Sequence, residues 1–417
     1  MASSSKRKYI FITDDIRPIG GMQLYVAGKS AYLENNGWNV TVLYPINSDD
    51  MSCAVSILEK YGTGGMYGIW RAPFQWGRVQ SRLVLKDMLN RIGDVSGFSE
   101  IVVESNTSSS AQWGEMVARE LRARHVCNLC NETFRGEGKT YDQVIPYFLF
   151  KLNRGELAGI NSRSIPALFE GYAQIDEDPC RTFTAAELYP IAEIEDCRLN
   201  GLRDVDWTIC HFGRAEKDYV VEVLADLGKF VRRHPDKTIR ILFVGDMRLR
   251  RREIDAFLRA ADNIEILELG DMVPVPRSIF RISDVVIASS GCAMFSAAEG
   301  AITIVANCED NMSNGVLGLE THDAFHRPEG VCAEGFDESL ERVLVLGVGD
   351  VPAYSSEFTL APESVYSEQV QMVEDLGSPL GEYETDSLFK PRTSMNNILR
   401  STVNLLRNRL NRRGVHE

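Results

Sequence analysis

The sequence predicts an α/β protein made of two doubly wound, Rossmann-like domains, and three observations carry that expectation. Apolar runs of strand length alternate with helical patterns through most of the chain, the order expected of a parallel sheet covered by helices. Two strand-to-helix crossovers contain glycine, at Gly20-Gly21 and at Ser290-Gly291. At 417 residues the chain also exceeds the size at which one hydrophobic core usually stops growing.

In chain order, a strand over 9–13 opens into a loop over 14–21 that holds Pro18 and the glycine pair. Leu24, Ala27 and Ala31 then fall at helical spacing, which predicts a helix over 22–35 ended by Gly37, and a strand over 40–44 stops at Pro45. This is a βαβ start. A buried strand over 101–103 ends in Glu104-Ser105-Asn106, a helix follows over 111–123, and the run 126–129 leads to Asn131-Glu132.

Between 136 and 199 the pattern loosens into aromatic and acidic segments. Regularity returns with a strand over 207–212, a helix over 219–233, a strand over 239–244, a helix over 251–261 and a strand over 264–267. Next come an apolar strand over 285–288, the turn Ser289-Ser290-Gly291, a small-residue helix over 292–299 and a strand over 302–306. In such a unit the helix N-terminus offers unpaired N–H groups to a phosphate, and Arg214 and Lys217 would supply cationic side chains for the same anion. The expected domains are therefore 1–199 and 200–385. Residues 354–391 have weak periodicity and are expected to be irregular cover. After them, 386–417 contains a basic amphipathic helix expected to pack back on the N-terminal domain.

Composition excludes several classes. Hydrophobic content of 44% and charged content of 25% belong to an ordinary globular protein. A net charge of −14 argues against broad nucleic-acid binding, which needs positive surface. The polar, basic start is followed by an apolar run too short for a signal peptide, and no stretch approaches the ~20 apolar residues of a membrane span, so the expectation is a cytoplasmic protein. The nine cysteines are scattered. Cys127 and Cys130 form a CxxC with no second pair at zinc spacing, so neither a metal nor a disulfide framework is expected.

The Gly20-Gly21 crossover, the Gly213-Arg214 strand end with Lys217 after it, and the glycine-turn helix together resemble the nucleotide-sugar-dependent glycosyltransferases of the glycosyltransferase-B fold. The likeness is greatest to the large group, often called group 1, that builds bacterial surface polysaccharides. It implies two domains facing a cleft, a nucleotide-sugar donor, a glycan or lipid-linked acceptor, and no cofactor. By the resemblance Gly20 and Gly21 approach the diphosphate or acceptor, Arg214 and Lys217 hold the diphosphate, and Ser290, Gly291 and Cys292 cradle it with backbone N–H groups. One departure stands out. Typical retaining members carry two glutamates separated by seven residues, and the matching positions here are Ala288 and Ser296. Ser296 is a candidate for a ribose hydroxyl, and Glu299, on a nearby helix face, for replacing a lost carboxylate.

Glu104 and Glu132 end first-domain strands and are the candidates for acceptor positioning or general-base work. The polar residues Glu309, Asp310, Asn311 and Asn314 follow a strand end, where loop groups meet a sugar. His211, on an apolar strand, is expected to be a core histidine. Two alternatives remain at this stage: a noncatalytic partner subunit, which the missing glutamates favour, and a nucleotide-sugar epimerase of the same architecture. A nicotinamide-dependent oxidoreductase is disfavoured, since GxGxxG is absent after the first strand of either half.

The terminal helix generates the first test. Arg400, Arg407, Arg409, Arg412 and Arg413 lie beside apolar positions, a pattern that suits peripheral contact with an anionic membrane, each arginine contributing about 1 kcal/mol near the surface. The intact chain is expected to sediment with anionic liposomes at low salt, less so at high salt, and a variant with these arginines neutralised is not.

Overall fold

Short runs rich in β-branched and aromatic residues form the strands, and parallel pairing buries them on both faces. The computed structural model describes residues 6–16, 19–45, 57–63, 65–66, 68–130, 144–176, 181–185, 191–192, 196–200, 202–258, 263–348 and 361–376. The chain divides into two units. The first comprises Met1–Pro18, Tyr25–Thr184 and Glu363–Glu417, and the second Ile19–Leu24 and Ala185–Pro362. Glu132 and the basic terminal helix lie outside the described residues.

In the first unit, strands β1 (Arg7–Ile12), β2 (Trp38–Leu43), β3 (Glu100–Ser105), β4 (Arg124–Leu129), β5 (Leu157–Gly159) and β6 (Arg181–Thr182) form a parallel sheet in the order β2-β1-β3-β4-β5-β6. The connections leave β1 toward opposite edges, so a switch point lies between β1 and β3. The strands expected over 9–13, 40–44, 101–103 and 126–129 are all present with modest shifts. The short strands β5 and β6 fall where the sequence pattern loosens, because two or three residues carry no readable period.

Helix Ser108–Leu121 starts at Thr107, whose hydroxyl accepts from the Ser110 N–H at 3.2 Å while the Thr107 N–H donates to Ser110 Oγ at 2.9 Å. It crosses the sheet so closely that a Cβ on Gly114 would lie 2.0 Å from Ser105 Oγ. Helix Pro362–Glu374 replaces irregular cover expected in that region. It buries Tyr366, Gln369 and Val373, one face with a polar residue at its centre, so its apolar signal is weak. Gln369 donates to the Thr184 carbonyl at 2.7 Å, and its Oε1 lies 3.1 Å from Tyr25 Oη.

Two charged clusters lie inside this unit. Lys29 Nζ and Glu104 Oε2 are 2.8 Å apart and both side chains are fully buried. Burial lowers the Lys29 pKa, and the Glu104 carboxylate opposes that shift. In the second cluster Lys151 bridges Glu115 and Glu156, and His125 Nδ1 lies 3.2 Å from Glu115 Oε2. His125 Nε2 meets Ser105 Oγ at 3.0 Å. Cys127 is buried beside it with its thiol pushed up to about 12 by desolvation, and burial likewise raises Cys130, so the CxxC pair is held as thiol.

The second unit contains β7 (Ile191–Ala192), β8 (Trp207–Phe212), β9 (Ile239–Val244), β10 (Ile264–Gly270), β11 (Val275–Pro276), β12 (Val285–Ala288), β13 (Thr303–Ala306) and β14 (Ser313–Val316). Six of them form the sheet β10-β9-β8-β12-β13-β14, parallel except for β13 with β14, while β7 pairs with β11. Strand β8 takes the central role, with its switch point toward β12. Helix Tyr219–Arg233 buries Val220, Val223, Leu224, Leu227, Phe230 and Val231, the 3.6-residue stripe that made it legible. Among the described residues, no helix is long and apolar enough to cross a membrane.

The second cluster predicts an acid response. Burial raises the Glu115 carboxyl, but the His125 hydrogen bond and the Lys151 charge outweigh it and leave the pKa at about 2. Burial and the Lys151 charge hold His125 at about 4, against 6.5 when unfolded. The unfolded chain then binds more protons than the native chain between those values, so stability should fall as pH drops from about 6.5 toward 4, and further as Glu115 is protonated. Urea midpoints measured across this range should show the slope, and His125→Gln should flatten its upper part.

Candidate functional site

The carboxyl ends of β8, β9, β12 and β13 open on the same edge of the second sheet, the edge where doubly wound folds bind ligands. Strand β8 ends at Gly213 (φ +150°) and β9 at Gly245 (φ +132°). The Gly213 N–H donates to the Val244 carbonyl at 3.0 Å, and the Gly245 N–H to the Gly270 carbonyl at 2.9 Å. A Cβ on Gly245 would stand 2.0 Å from the Gly213 carbonyl oxygen. Glycine is therefore required there by contact as well as by φ.

Strand β12 leads through Ser289 into helix Ser290–Ala298. Ser290 has φ +54°, a left-handed conformation rare for a side-chain-bearing residue, and its N–H is bound to the Ala324 carbonyl at 2.8 Å. The helix starts two residues earlier than its apolar pattern suggests, so Ser290, Gly291 and Cys292 form its first turn. Their neighbourhood carries the partial positive charge of a helix N-terminus.

Lys217 reaches this turn. Its Nζ lies 2.9 Å from Ser289 Oγ and 3.9 Å from Cys308 Sγ, which connects the ends of β8, β12 and β13 through one ammonium group. Arg214, one residue after Gly213, is half-exposed and pairs with Glu216 at 3.0 Å. A Cβ on Gly213 would approach Cys292 Sγ to 3.9 Å, so the β8 end and the first turn of the helix adjoin. Lys217, Gly213, Ser289 and Cys292 are thus brought together, with Arg214 on their solvent side.

Other expected residues stand elsewhere. Ser296 is fully buried and its hydroxyl donates to the Cys292 carbonyl at 2.8 Å, an intrahelical bond that occupies its proton. Glu299 pairs with Arg277 at 2.9 Å at the far end of the helix. Glu104 has no exposed oxygen. Tyr9 and Lys29 donate to Oε2, and Tyr25 and Asn106 to Oε1. Four donors leave little room for an acceptor hydroxyl, which counts against Glu104 as the acceptor-positioning or general-base residue. Gly20 is buried, its carbonyl accepting from the Leu24 N–H at 3.0 Å, and a Cβ would meet the Gln23 side chain at 2.6 Å; Gly21 is exposed, with nothing within 4 Å of an added Cβ.

Sequence reasoning missed Gly245 and the loop on the far side of Ser290. The glycine after β9 was a usable signal, since it repeats the glycine after β8. His211 is buried as expected, but against the expectation of a satisfied core histidine neither ring nitrogen has a hydrogen-bond partner among the described residues, and its pKa is lowered to about 4, first by desolvation and then by the Lys217 charge.

No protein-family profile matches the sequence, and no curated protein matches it either. Solved structures do. A glycosyltransferase from Rickettsia africae aligns with TM-score 0.61 at 13% identity over 90% of this chain and 100% of its own. The fold is that of the glycosyltransferase-B proteins. HepE from Anabaena, solved with UDP, aligns with TM-score 0.58 at 10% identity over 88% of this chain and 99% of its own. A UDP-N-acetylglucosamine 2-epimerase aligns with TM-score 0.51 at 11% identity over 89% of this chain and 95% of its own.

The glycine contact in this glycosyltransferase-B edge is directly testable. Gly245→Ala should cost about 3 kcal/mol or more, because a positive φ and a backbone overlap must both be relieved. Gly300→Ala, at φ +85° with nothing within 4 Å of an added Cβ, should cost only about 1 kcal/mol. Urea midpoints of the two variants measure the difference.

Proposed function

We propose that the second unit binds a nucleotide sugar by its diphosphate and that the protein transfers the sugar to a glycan or lipid-linked acceptor in surface polysaccharide synthesis. The observation that carries this reading is the arrangement at the switch point: Lys217 against Ser289, beside the first turn of helix Ser290–Ala298. HepE was solved with UDP and with UDP and glucose, which makes UDP the first nucleotide to try.

Chemically, the groups of this cradle suit a departing diphosphate. Lys217 and Arg214 supply mobile positive charge, and the N–H groups of the helix supply fixed dipoles that need no reorganisation as negative charge develops. Lys217 would exchange its bond to Ser289 for a phosphate oxygen. Arg214 would leave Glu216, a cheap exchange because an exposed ion pair contributes little. The domains 1–199 and 200–385 would divide the acceptor and donor roles, and the basic terminal helix would hold the protein at a cytoplasmic membrane face. Glu104 is enclosed by its four donors, which leaves Glu132 as the candidate proton-accepting base.

An epimerase reading is favoured by the alignment with a UDP-N-acetylglucosamine 2-epimerase. A noncatalytic partner role is favoured by Ala288 and Ser296 in place of the usual glutamates. Thermal melting with UDP, UDP-glucose and UDP-N-acetylglucosamine tests the shared premise, because a ligand of the folded state raises the midpoint. Proton NMR of the bound sugar then separates the enzymes: release of free sugar or growth of an acceptor indicates transfer, and inversion at C2 indicates epimerisation. Arg214→Ala should weaken UDP by about 1.5 to 3 kcal/mol in calorimetry, the value of a charge-assisted hydrogen bond, and an unchanged affinity would remove Arg214 from the site.

A further inference from the structure

The loss of both glutamates leaves the donor's hydroxyl groups without their usual partners, and the loop beside Ser290 contains side chains that fit the vacancy. His326 Nδ1 lies 3.1 Å from Glu309 Oε1, with the His326 side chain 4% exposed and the Glu309 side chain 47% exposed. An ionised carboxylate only accepts, so Nδ1 carries the proton, and in the neutral ring Nε2 is then a bare acceptor. That atom is buried with no hydrogen-bond partner, and so is Ser290 Oγ. Orphaned polar atoms occur elsewhere in the described residues, for example on Gln112 and Asn128, so orphaning alone locates nothing. Position does. Ala324, two residues before His326, accepts from the Ser290 N–H at 2.8 Å, and Cys308, next to Glu309, lies against Lys217. The His326–Glu309 pair therefore adjoins the phosphate cradle on its β13 side.

The loops that present the pair are built for rigidity. Asp323 Oδ1 accepts from the N–H groups of Phe325 at 2.7 Å and of His326 at 3.0 Å, which fixes the turn that carries the imidazole. Asn307 Oδ1 accepts from the Glu309 N–H at 2.7 Å, and Arg327 is tied to Asp310 and to the Ser313 carbonyl. A buried acceptor held this firmly cannot turn toward bulk solvent for a partner.

We propose that His326 Nε2 accepts a hydroxyl group of the nucleotide sugar, and that Glu309 is the positioning residue that holds the imidazole in the accepting tautomer. This subsite takes over the recognition that carboxylates at positions 288 and 296 would provide. It rests on the nucleotide-sugar reading above. The hydroxyl belongs either to the glycosyl group or to the ribose, and the same chemistry serves both.

The test uses calorimetry on the full chain with UDP-glucose, UDP and 2′,3′-dideoxy-UDP. His326→Phe keeps ring volume and removes both nitrogens. Glu309→Gln changes a half-exposed position and lets an amide N–H face Nδ1, which moves the ring proton to Nε2. Both variants should weaken UDP-glucose, His326→Phe by about tenfold and Glu309→Gln by less, with unchanged thermal midpoints confirming the fold. Loss confined to UDP-glucose assigns the glycosyl hydroxyl; loss shared by UDP and absent for the dideoxy analogue assigns the ribose. Folded variants that bind all three within about twofold of wild type overturn the subsite, as does an equal loss on all three. If the unmodified protein binds neither UDP nor UDP-glucose, the nucleotide-sugar reading itself fails, and the subsite with it.

Discussion

The approach of the Gly213 carbonyl to Gly245 governs the carboxyl edge of the second unit. With 2.0 Å between that oxygen and the place a Cβ would occupy, only glycine allows β8 and β9 to end side by side. The strand ends then turn away together, the Gly245 N–H reaches the Gly270 carbonyl, and the segment after Gly213 is free to carry Arg214 and Lys217 toward β12. From that position one lysine spans to Ser289 and Cys308. The cradle is thus a consequence of main-chain proximity, and the side chains complete it.

The first unit uses its strand-end polar residues differently. Glu104 at the end of β3 and His125 on β4 have the residue types of acid–base chemistry, yet both are interior and saturated with partners. A fully buried charge survives only when it is paired and its remaining lone pairs are filled, and the Tyr9, Tyr25 and Asn106 donors do that for Glu104. The network extends through Tyr25 to Gln369, so helix Pro362–Glu374 closes over the polar interior of a unit from which it is distant in sequence. Removing one partner of such a buried pair is costly, because it leaves the other charge buried and uncompensated.

A site assembled from N–H groups, a lysine and an arginine tolerates drift in the residues around it. Ala288 and Ser296 stand where the resemblance places carboxylates, and a helix N-terminus, which depends on backbone alone, is unaffected by those side chains. Inside its helix the Ser296 hydroxyl satisfies itself on the Cys292 carbonyl. At 13% identity to a solved glycosyltransferase, the chain shares its fold over 90% of its length.

The sequence by itself determined the α/β class, the two doubly wound halves and most strands and helices of the second unit, because apolar periods of strand and helix length survive without any tertiary information. Helix Tyr219–Arg233 has the span its stripe dictates, and the glycine turn after β12 was legible as a strand-to-helix crossover. Elements of two or three residues, such as β5 and β6, carry no period and emerged only through their neighbours in the sheet. Helix Pro362–Glu374 was hidden by Gln369 on its buried face, a polar residue that becomes intelligible once Tyr25 and Thr184 are beside it. The fates of the acidic candidates were likewise decided in three dimensions: Glu104 by four donors arriving from four separate positions, Glu299 by Arg277, and Glu309 by a histidine 17 residues away. Burial and partner geometry, which depend on chain segments remote in sequence, separate a structural carboxylate from one available to a ligand.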